Sequence, residues 1–301
     1  MDGEIIKMKD QLVKSLVLGG RVRVHVVSTT HLVQEARDRF DLYPTACAAL
    51  GRTLSVGCIM GGMLKSEEEM LTITINGHGP IGSIVVDAYA SGNVRGFVSN
   101  PHVEDAFVKE GKLNVGAVVG TNGTLTVTKD LHMANNFTGT VELQSGEIGD
   151  DFAYYFTLSE QTPSAVSVGV LIGTDGNVES AGAMILQMLP DATEEDISIC
   201  EHVLSGLKPM STLVQEYEDC GLEQLIKDMF EDAKILETRN VGFSCPCSKE
   251  STEKVLITLK KEDIQDLIDR DEDCEVTCNF CNERYVFTKE ELKAILEKMN
   301  A

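Results

Sequence analysis

Residues Arg21–Val27 read RVRVHVV, an alternation of period two that belongs to a β-strand, where successive side chains leave opposite faces of the backbone. Similar short runs recur outward from it at Leu71–Ile75 (LTITI), Ile84–Ala90, Gly116–Val119, Thr124–Thr128 and Val166–Ile172. Each predicts a strand. Asn122-Gly123 and Asp175-Gly176 sit between such runs. Because a type I′ turn needs φ > 0 at both central residues, both dipeptides predict hairpins and antiparallel pairing. Helical spacing interrupts the strands at His31–Phe40, Tyr43–Leu64 and Asp150–Glu160, with Asp150 placed to cap the last of these. Residues 1–189 are therefore expected to form an α+β core domain, a mixed sheet with helices packed on it. The 43–64 segment is rich in Ala, Gly, Cys and Met, which lets a helix lie close to a sheet and makes Cys47 and Cys58 core residues.

The chain of 301 residues is 43% hydrophobic and 25% charged, enough for about two domains and outside the disordered and collagenous classes. Its net charge is -22. Such a field repels nucleic-acid phosphate and anionic membrane surfaces, so neither is expected as a partner. The longest uncharged run, Met70–Val86, is broken by Asn76, three glycines and Pro80, and nothing in the sequence is expected to span a bilayer. The first ten residues, MDGEIIKMKD, lack the basic-then-apolar order of a signal peptide. A reducing, cytoplasmic location is the expectation, and there nine cysteines suggest metal or redox chemistry in preference to a disulfide scaffold.

After Pro190 the character changes. Residues 190–239 carry thirteen acidic and four basic side chains, a net of -9, and helical spacing appears in Ile197, Val203, Leu204 and Leu207, then in Leu222, Leu225, Ile226, Met229 and Phe230. Two or three amphipathic helices are expected here, forming an acidic helical linker of marginal stability on its own. Residues 240–301 hold five of the nine cysteines and are too few to make a secure core without a staple.

Cys245-Pro246-Cys247 is followed, after an intervening helical segment, by Cys278-Asn279-Phe280-Cys281. Four thiolates around one ion make a closed tetrahedral site whose default metal is zinc. Around the second pair the spacing predicts a tight turn, a returning strand at Tyr285–Phe287, and a helix through Leu292, Ile295 and Leu296 opened by a Thr288/Glu291 capping box. Spacing alone leaves the role of the metal open. A purely structural zinc is one reading. The other notes that metal-bound thiolates are open to oxidants and that metal binding supplies on the order of 10–16 kcal/mol of folding free energy in small zinc modules, so that oxidation would act as a folding switch.

The CPCSKE and CNFCNERYVF strings, their cysteine spacing, and YYFTLSEQTPS at 154–164 together resemble the redox-regulated heat-shock holdase chaperones, the 33 kDa chaperonin family, over essentially the whole chain. That resemblance implies a non-enzymatic, ATP-independent holdase with one zinc in an inactive reduced state. It implies that peroxide or hypochlorite, with heat, expels zinc and forms Cys245–Cys247 and Cys278–Cys281 disulfides. The zinc module and linker would then unfold, and the active species, a homodimer, would bind unfolding client proteins. Leu204, Leu207, Leu222, Leu225, Met229 and Phe230 are candidate client contacts from their amphipathic spacing, with packing on the first domain as the alternative in the resting state. Pro246 stiffens the first pair, and Cys274 is an extra thiol able to compete as ligand or disulfide partner.

Two other functions use parts of the same pattern. A thiol-disulfide oxidoreductase wants its attacking cysteine at a helix N-terminus, and an enzyme or adaptor with a merely structural zinc wants a catalytic constellation in residues 1–189, where none is found. Gly77-His78-Gly79-Pro80-Ile81-Gly82 matches a dinucleotide fingerprint only in letters, since Pro80 and the strand-like residues behind it deny the helix that a pyrophosphate needs, and no nucleotide is expected. The six histidines form no metal spacing or triad. Cys200 and Cys220 are expected as fillers on helices, and Glu67–Glu69 as a solvated loop.

Overall fold

The computed structural model describes residues 10–104, 108–109, 112–133, 135–270 and 273–299. In chain order its elements are β1 (Gln11–Val17), β2 (Val22–Ser28), α1 (Thr30–Phe40), α2 (Pro44–Gly62), β3 (Met70–Asn76), β4 (Ser83–Tyr89), β5 (Val94–Val98), the short ribbon β6 (Val108–Lys109) and β7 (Lys112–Leu113), α3 (Val115–Val119), β8 (Thr124–Asp130) and β9 (Phe137–Glu142). The first part continues through α4 (Gly149–Leu158), β10 (Ser164–Ile172), β11 (Val178–Met188), α5 (Glu194–Ser205), α6 (Met210–Glu216), α7 (Leu222–Met229) and β12 (Lys234–Asn240). The last part holds α8 (Lys249–Leu256), α9 (Lys261–Asp269), β13 (Cys274–Thr277), β14 (Arg284–Phe287) and α10 (Lys289–Lys298). Two units divide the chain between Ser244 and Cys245.

The first unit is α+β and holds two five-stranded sheets, ordered β10-β11-β2-β1-β12 and β5-β4-β3-β8-β9. Where a mixed sheet is expected, the strand ladders of both are antiparallel, and a parallel pairing occurs as the isolated bridge Val94–Phe243. Between the sheets lies α2, seventeen of whose residues are buried, against β4 and β5 on one side and β10 and β11 on the other. Its small residues allow this. A Cβ on Gly61 would stand 2.5 Å from the Tyr89 carbonyl oxygen, so the helix reaches the sheet backbone only because that position is bare. The hydroxyls of Thr53 and Ser55 donate to the carbonyls of Ala49 and Gly51 one turn back, which satisfies polar groups that have no water to turn to. Burial pushes the Cys47 thiol up to about 12 and Cys58 well above its ordinary value, so both are inert core residues.

The RVRVHVV alternation sorts β2 between two cores. Val22, Val24 and Val26 face one cluster with Leu213, Val214, Leu222, Leu225, Ile226 and Phe230, while Val27 joins the cluster around α2. The segment expected as an acidic helical linker over 190–239 is the second cover of this sheet, the packing on the first domain that is the alternative for its apolar residues. Its helices α5, α6 and α7 lay apolar faces on β2, β10 and β11, and its last stretch is the edge strand β12, paired antiparallel with β1 from Gln11–Asn240 to Leu16–Lys234. Helical spacing in the helices and a 7-residue alternation in KILETRN sit side by side in one acidic tract, and charge composition alone hides the change. Two carboxylates fasten it. Asp196 takes both Arg21 guanidinium contacts at 2.7 Å, and that guanidinium holds its carboxyl well below the usual carboxylate range. Asp232 accepts from the Leu18 and Gly19 N–H groups at 3.0 and 2.7 Å. Beyond β12, Ser244 N–H still donates to the Val94 carbonyl of β5 at 2.8 Å, and the first unit runs on to Ser244.

Three local expectations change. Gly116–Val119 is not a strand but lies in α3, opened by Asn114, whose side chain accepts from Ala117 N–H at 3.1 Å; an uncharged apolar run of this length does not declare its period. Asn122-Gly123 consequently joins a helix to β8 and is no hairpin. Asp175-Gly176 does lie in the β10–β11 hairpin, but only Gly176 has positive φ (79°), with its N–H bonded to Gly173 carbonyl at 2.9 Å, a turn closed by one left-handed glycine in place of type I′. The carboxylate that organises the start of α4 is Asp151, accepting from the N–H groups of Gln144, Ser145, Gly146 and Ile148 at 2.7–3.3 Å, while Asp150 takes the Ser145 hydroxyl.

His25, inside the first sheet, donates through Nδ1–H to the Val24 carbonyl at 3.1 Å, and burial, with Arg23 and Lys14 nearby, lowers its pKa to about 3. The folded ring stays neutral where the unfolded one takes a proton near pH 6.5. Its contribution is complete above that value and is lost as the pH falls toward 3. Below pH 6, the unfolding free energy of wild type relative to His25→Gln should fall with a slope approaching about 1.4 kcal/mol per pH unit, measured by urea titration of both proteins; parallel curves would refute it.

Candidate metal centre

The second unit, residues 245–301, buries an apolar cluster of Leu256, Ile264, Ile268, Phe287, Leu292 and Ile295. So few large side chains cannot offset the backbone entropy of a chain this size by themselves. Its elements are placed by local signals. Ser248 accepts from Ser251 N–H at 3.1 Å to open α8. Thr288 accepts from Glu291 N–H at 3.3 Å while the Glu291 carboxylate accepts from Thr288 N–H at 2.8 Å, the expected capping box of α10. β13 and β14 pair from Cys274–Phe287 to Thr277–Arg284.

At the closed end of that hairpin, beyond the Thr277–Arg284 pair, the chain makes a tight turn. The Cys278 carbonyl accepts from Asn282 N–H at 2.8 Å and from Cys281 N–H at 3.4 Å, and Asn282 sits at φ 59°, a left-handed position that asparagine tolerates. Cys245 and Cys247 approach from the stretch before α8. The Sγ atoms of Cys245, Cys247, Cys278 and Cys281 all lie within 4.8 Å of one another, with Cys245–Cys278 at 3.8 Å and Cys247–Cys281 at 3.3 Å. A tetrahedron with metal–sulfur bonds of about 2.3 Å has edges of roughly 3.8 Å, so the set has the spacing of a four-thiolate site. The donor chemistry agrees, since soft thiolates select zinc over magnesium or calcium. Burial raises Cys278 and Cys281, and the adjoining sulfurs push Cys281 the same way, against the pull of the Phe280 and Glu283 backbone N–H groups. A bound cation is the element that would reverse this and hold all four as thiolates.

The other candidates fall elsewhere. Cys274 starts β13 opposite Phe287 and packs on the small apolar cluster, outside the four-sulfur group. Cys200 is buried on α5, its thiol pushed up to about 11 by burial, and Cys220 is exposed. Among the candidate client contacts, Leu222, Leu225 and Phe230 are buried and Leu204, Leu207 and Met229 half-buried, all in the cluster against the first sheet. Gly77 and Gly79 of the fingerprint-like string serve close packing: a Cβ on either would meet the backbone of Val118–Gly120 at 2.1–2.2 Å. Two contributors escaped the sequence reading. Tyr285 donates its hydroxyl to Cys247 Sγ at 3.2 Å, although only its place in a strand was marked by pattern. Lys249 pairs with Glu291 at 2.6 Å and lies over the Phe287 ring, tying the residues after the first cysteine pair to α10.

These features define an α+β protein of two units, the smaller organised around a cluster of four cysteines. The chain belongs to the Hsp33 family: the family described as "Hsp33 protein" matches residues 10–288. It is 48% identical over 296 residues to the 33 kDa chaperonins of Bacillus cytotoxicus and Bacillus mycoides, spanning 97% of this chain and all of each relative. It is similar in structure to the 33 kDa chaperonin of Thermotoga maritima, with a TM-score of 0.89 at 33% identity, over 98% of this chain and all of that one. It is thus a member of a chaperone family.

Cys278→Ser should weaken zinc binding by more than the roughly 10–100-fold that loss of an outer partner costs, and should unfold the second unit without unfolding the first. Zinc titration with a competing chelator, alongside amide NMR of the full chain, reads both; a folded second unit with unchanged affinity would contradict the assignment.

Proposed function

We propose that this protein is a redox-regulated, ATP-independent holdase, a non-enzymatic chaperone switched by Cys245, Cys247, Cys278 and Cys281. The observation that carries the reading is the position of these four sulfurs: they join the two halves of a unit whose apolar core is too small to hold it. One zinc ion bound there in the reduced protein would keep the sulfurs as thiolates and supply on the order of 10–16 kcal/mol of folding free energy.

Oxidation by peroxide takes two electrons from each pair of thiolates. With two protons drawn from solvent the peroxide leaves as two waters, and a sulfur–sulfur bond replaces two ligands of the metal, which departs as the free ion. Pairing within each motif, Cys245 with Cys247 and Cys278 with Cys281, leaves no metal or sulfur link to join the stretch before α8 to the β13–β14 hairpin. The second unit then melts. The acidic segment upstream, which carries -9 in fifty residues, is held to its sheet by its apolar face and a few carboxylate contacts, and its release would bare Leu204, Leu207, Leu222, Leu225, Met229 and Phe230 together with the valine face of β2. Exposed apolar surface of that kind binds unfolding client proteins and favours a homodimer as the active form. The strong negative charge disfavours nucleic acid and anionic membranes, no helix among the described residues is long and apolar enough to cross a bilayer, and the switch needs no nucleotide. A reducing cytoplasm is the compartment in which such a switch rests in its reduced form.

A thiol-disulfide oxidoreductase is the alternative use of a Cys-x-x-Cys motif, but Cys278 follows β13 in a strand–turn–strand setting, where no helix N-terminus lowers its pKa. An enzyme or adaptor with a purely structural zinc would keep its metal and its fold in peroxide.

Suppression of aggregation of a heat-unfolded client should appear only after peroxide, in step with zinc release followed by a metallochromic dye. Equal suppression by the reduced, zinc-loaded protein would refute the switch. Phe230→Ala, which removes a buried ring worth about 3–5 kcal/mol from the docked segment, should give partial suppression without oxidant in the same assay; full dependence on peroxide would show that the segment does not mask the client surface.

A further inference from the structure

The valine face of β2 ends in polar residues. Ser28 follows Val22, Val24 and Val26 on that face and stands opposite Gly182 of β11, and Ser180, two residues before Gly182, shares its face. This end of the sheet is covered, since a Cβ on Gly182 would stand 2.7 Å from the Val214 side chain of α6. Between it and the stretch from Val214 to Leu222 lies a cavity of about 140 Å³, a size that a ligand of roughly six heavy atoms fills. Two polar groups in its wall are incompletely satisfied. Ser180 is 1% exposed and its hydroxyl has no hydrogen-bond partner, a costly state for a buried group. Asp10 is 4% exposed. Its carboxylate accepts from Leu32 N–H at 2.7 Å and His31 N–H at 3.3 Å, while the exposed His31 ring stays 3.4 Å away, a long contact. Burial pushes the Asp10 carboxyl up from its ordinary value against the pull of these groups.

The rest of the wall has one sign of charge. Exposed Glu179 and Glu218 line the solvent side, no lysine or arginine is among the described lining residues, and Val178, Val214 and Leu222 make the middle apolar. The carboxylates do not converge: among the described residues, no group of metal-ligating side chains with ligand atoms within 4.8 Å of one another includes them, so a divalent ion fits poorly. An aliphatic diamine fits better. One ammonium brings three donors to the Asp10 carboxylate and the hydroxyls of Ser180 and Ser28, the methylene chain lies along the apolar walls, and the second ammonium meets Glu179 or Glu218. We propose that this cavity is a binding site for a small aliphatic diamine held between the first sheet and its acidic cover, and that its occupation keeps the cover docked. The second part rests on the holdase reading above. Because the wall is built from both partners, a ligand there binds only the docked form and stabilises it by mass action. None of the lining lies in residues 245–301, so the ligand governs release of the cover and leaves the cysteine chemistry alone.

The test titrates 1,4-diaminobutane into the reduced, zinc-loaded full chain, by calorimetry and amide NMR. Binding should be single-site, with shifts confined to α6 and the adjoining ends of β2 and β11. Ser180→Ala removes a group that has no partner in the fold, so the protein should fold as before and bind about tenfold more weakly. Glu218→Gln, at an exposed position, should cost about two- to fivefold. No binding would overturn the site. So would equal binding by wild type and Ser180→Ala, or displacement by magnesium at matched ionic strength, since both are the marks of diffuse attraction to a chain of net charge -22. In the aggregation assay the diamine should delay the onset of suppression after peroxide about threefold in wild type and not in Ser180→Ala, with zinc release unchanged; binding without delay would overturn its hold on the cover. Protein that releases zinc in peroxide yet never suppresses aggregation, with or without the diamine, would instead overturn the holdase reading. The site would then stand on the titrations, and amide exchange in α6 and α7, slowed by the diamine or not, would still decide whether it holds the cover.

Discussion

A unit of some fifty to sixty residues with six large buried apolar side chains has little to set against the entropy of ordering its backbone. Everything distinctive about this protein follows from how that deficit is met. Four sulfurs within 4.8 Å join the segment before α8 to the β13–β14 hairpin, and the helices α8, α9 and α10 close around a cluster that this junction makes possible. With the proposed zinc bound, such a fold would be stable in a reducing medium and vulnerable to oxidants for the same reason: the electrons that hold the metal are the electrons an oxidant takes.

The first unit shows the opposite economy of design. Its central sheet is covered on both faces, by α2 on one side and by α5, α6 and α7 on the other. The inner cover is apolar nearly all round and locked between two sheets. The outer one is strongly acidic and amphipathic, and it is tied down at few polar points, among them Asp196 on Arg21 and Asp232 on the Leu18–Gly19 turn. Stability is uneven across such an arrangement, and the cover that repels itself is the one expected to leave at lowest cost. On the function proposed above, the client-binding surface would be stored within a well-ordered sheet, the valine face of β2 being already built and covered.

Cysteines at different positions in one chain also differ in chemistry because their surroundings differ. Cys47 and Cys58 lie fully buried in α2, where desolvation keeps the thiols protonated, and Cys200 is held similarly on α5. The clustered four lie close enough for a cation to be held among them, and such a cation would bring thiolate character to sulfurs that burial alone holds protonated. Cys274, four residues from Cys278, packs as a half-buried filler, so proximity in sequence does not bring it into the group.

Much of this was legible in the residues themselves. Period-two runs such as RVRVHVV and LTITI mark strands because side chains on an extended backbone must alternate, and the Thr288/Glu291 box marks a helix start because it satisfies donors within one turn. The two cysteine motifs mark a candidate metal site because four soft ligands in a short, core-poor segment have few other uses, and the fold gathers their sulfurs within 4.8 Å. What the tertiary structure decided was long-range. It turned Gly116–Val119 into a helix, assigned the capping at α4 to Asp151 instead of Asp150, and made KILETRN the edge strand of a sheet whose other strands lie within residues 11–188. It also brought the Tyr285 hydroxyl to Cys247, 38 positions away. Local sequence encodes the conformations a segment favours on its own, whereas these outcomes depend on partners that only the folded chain brings within reach.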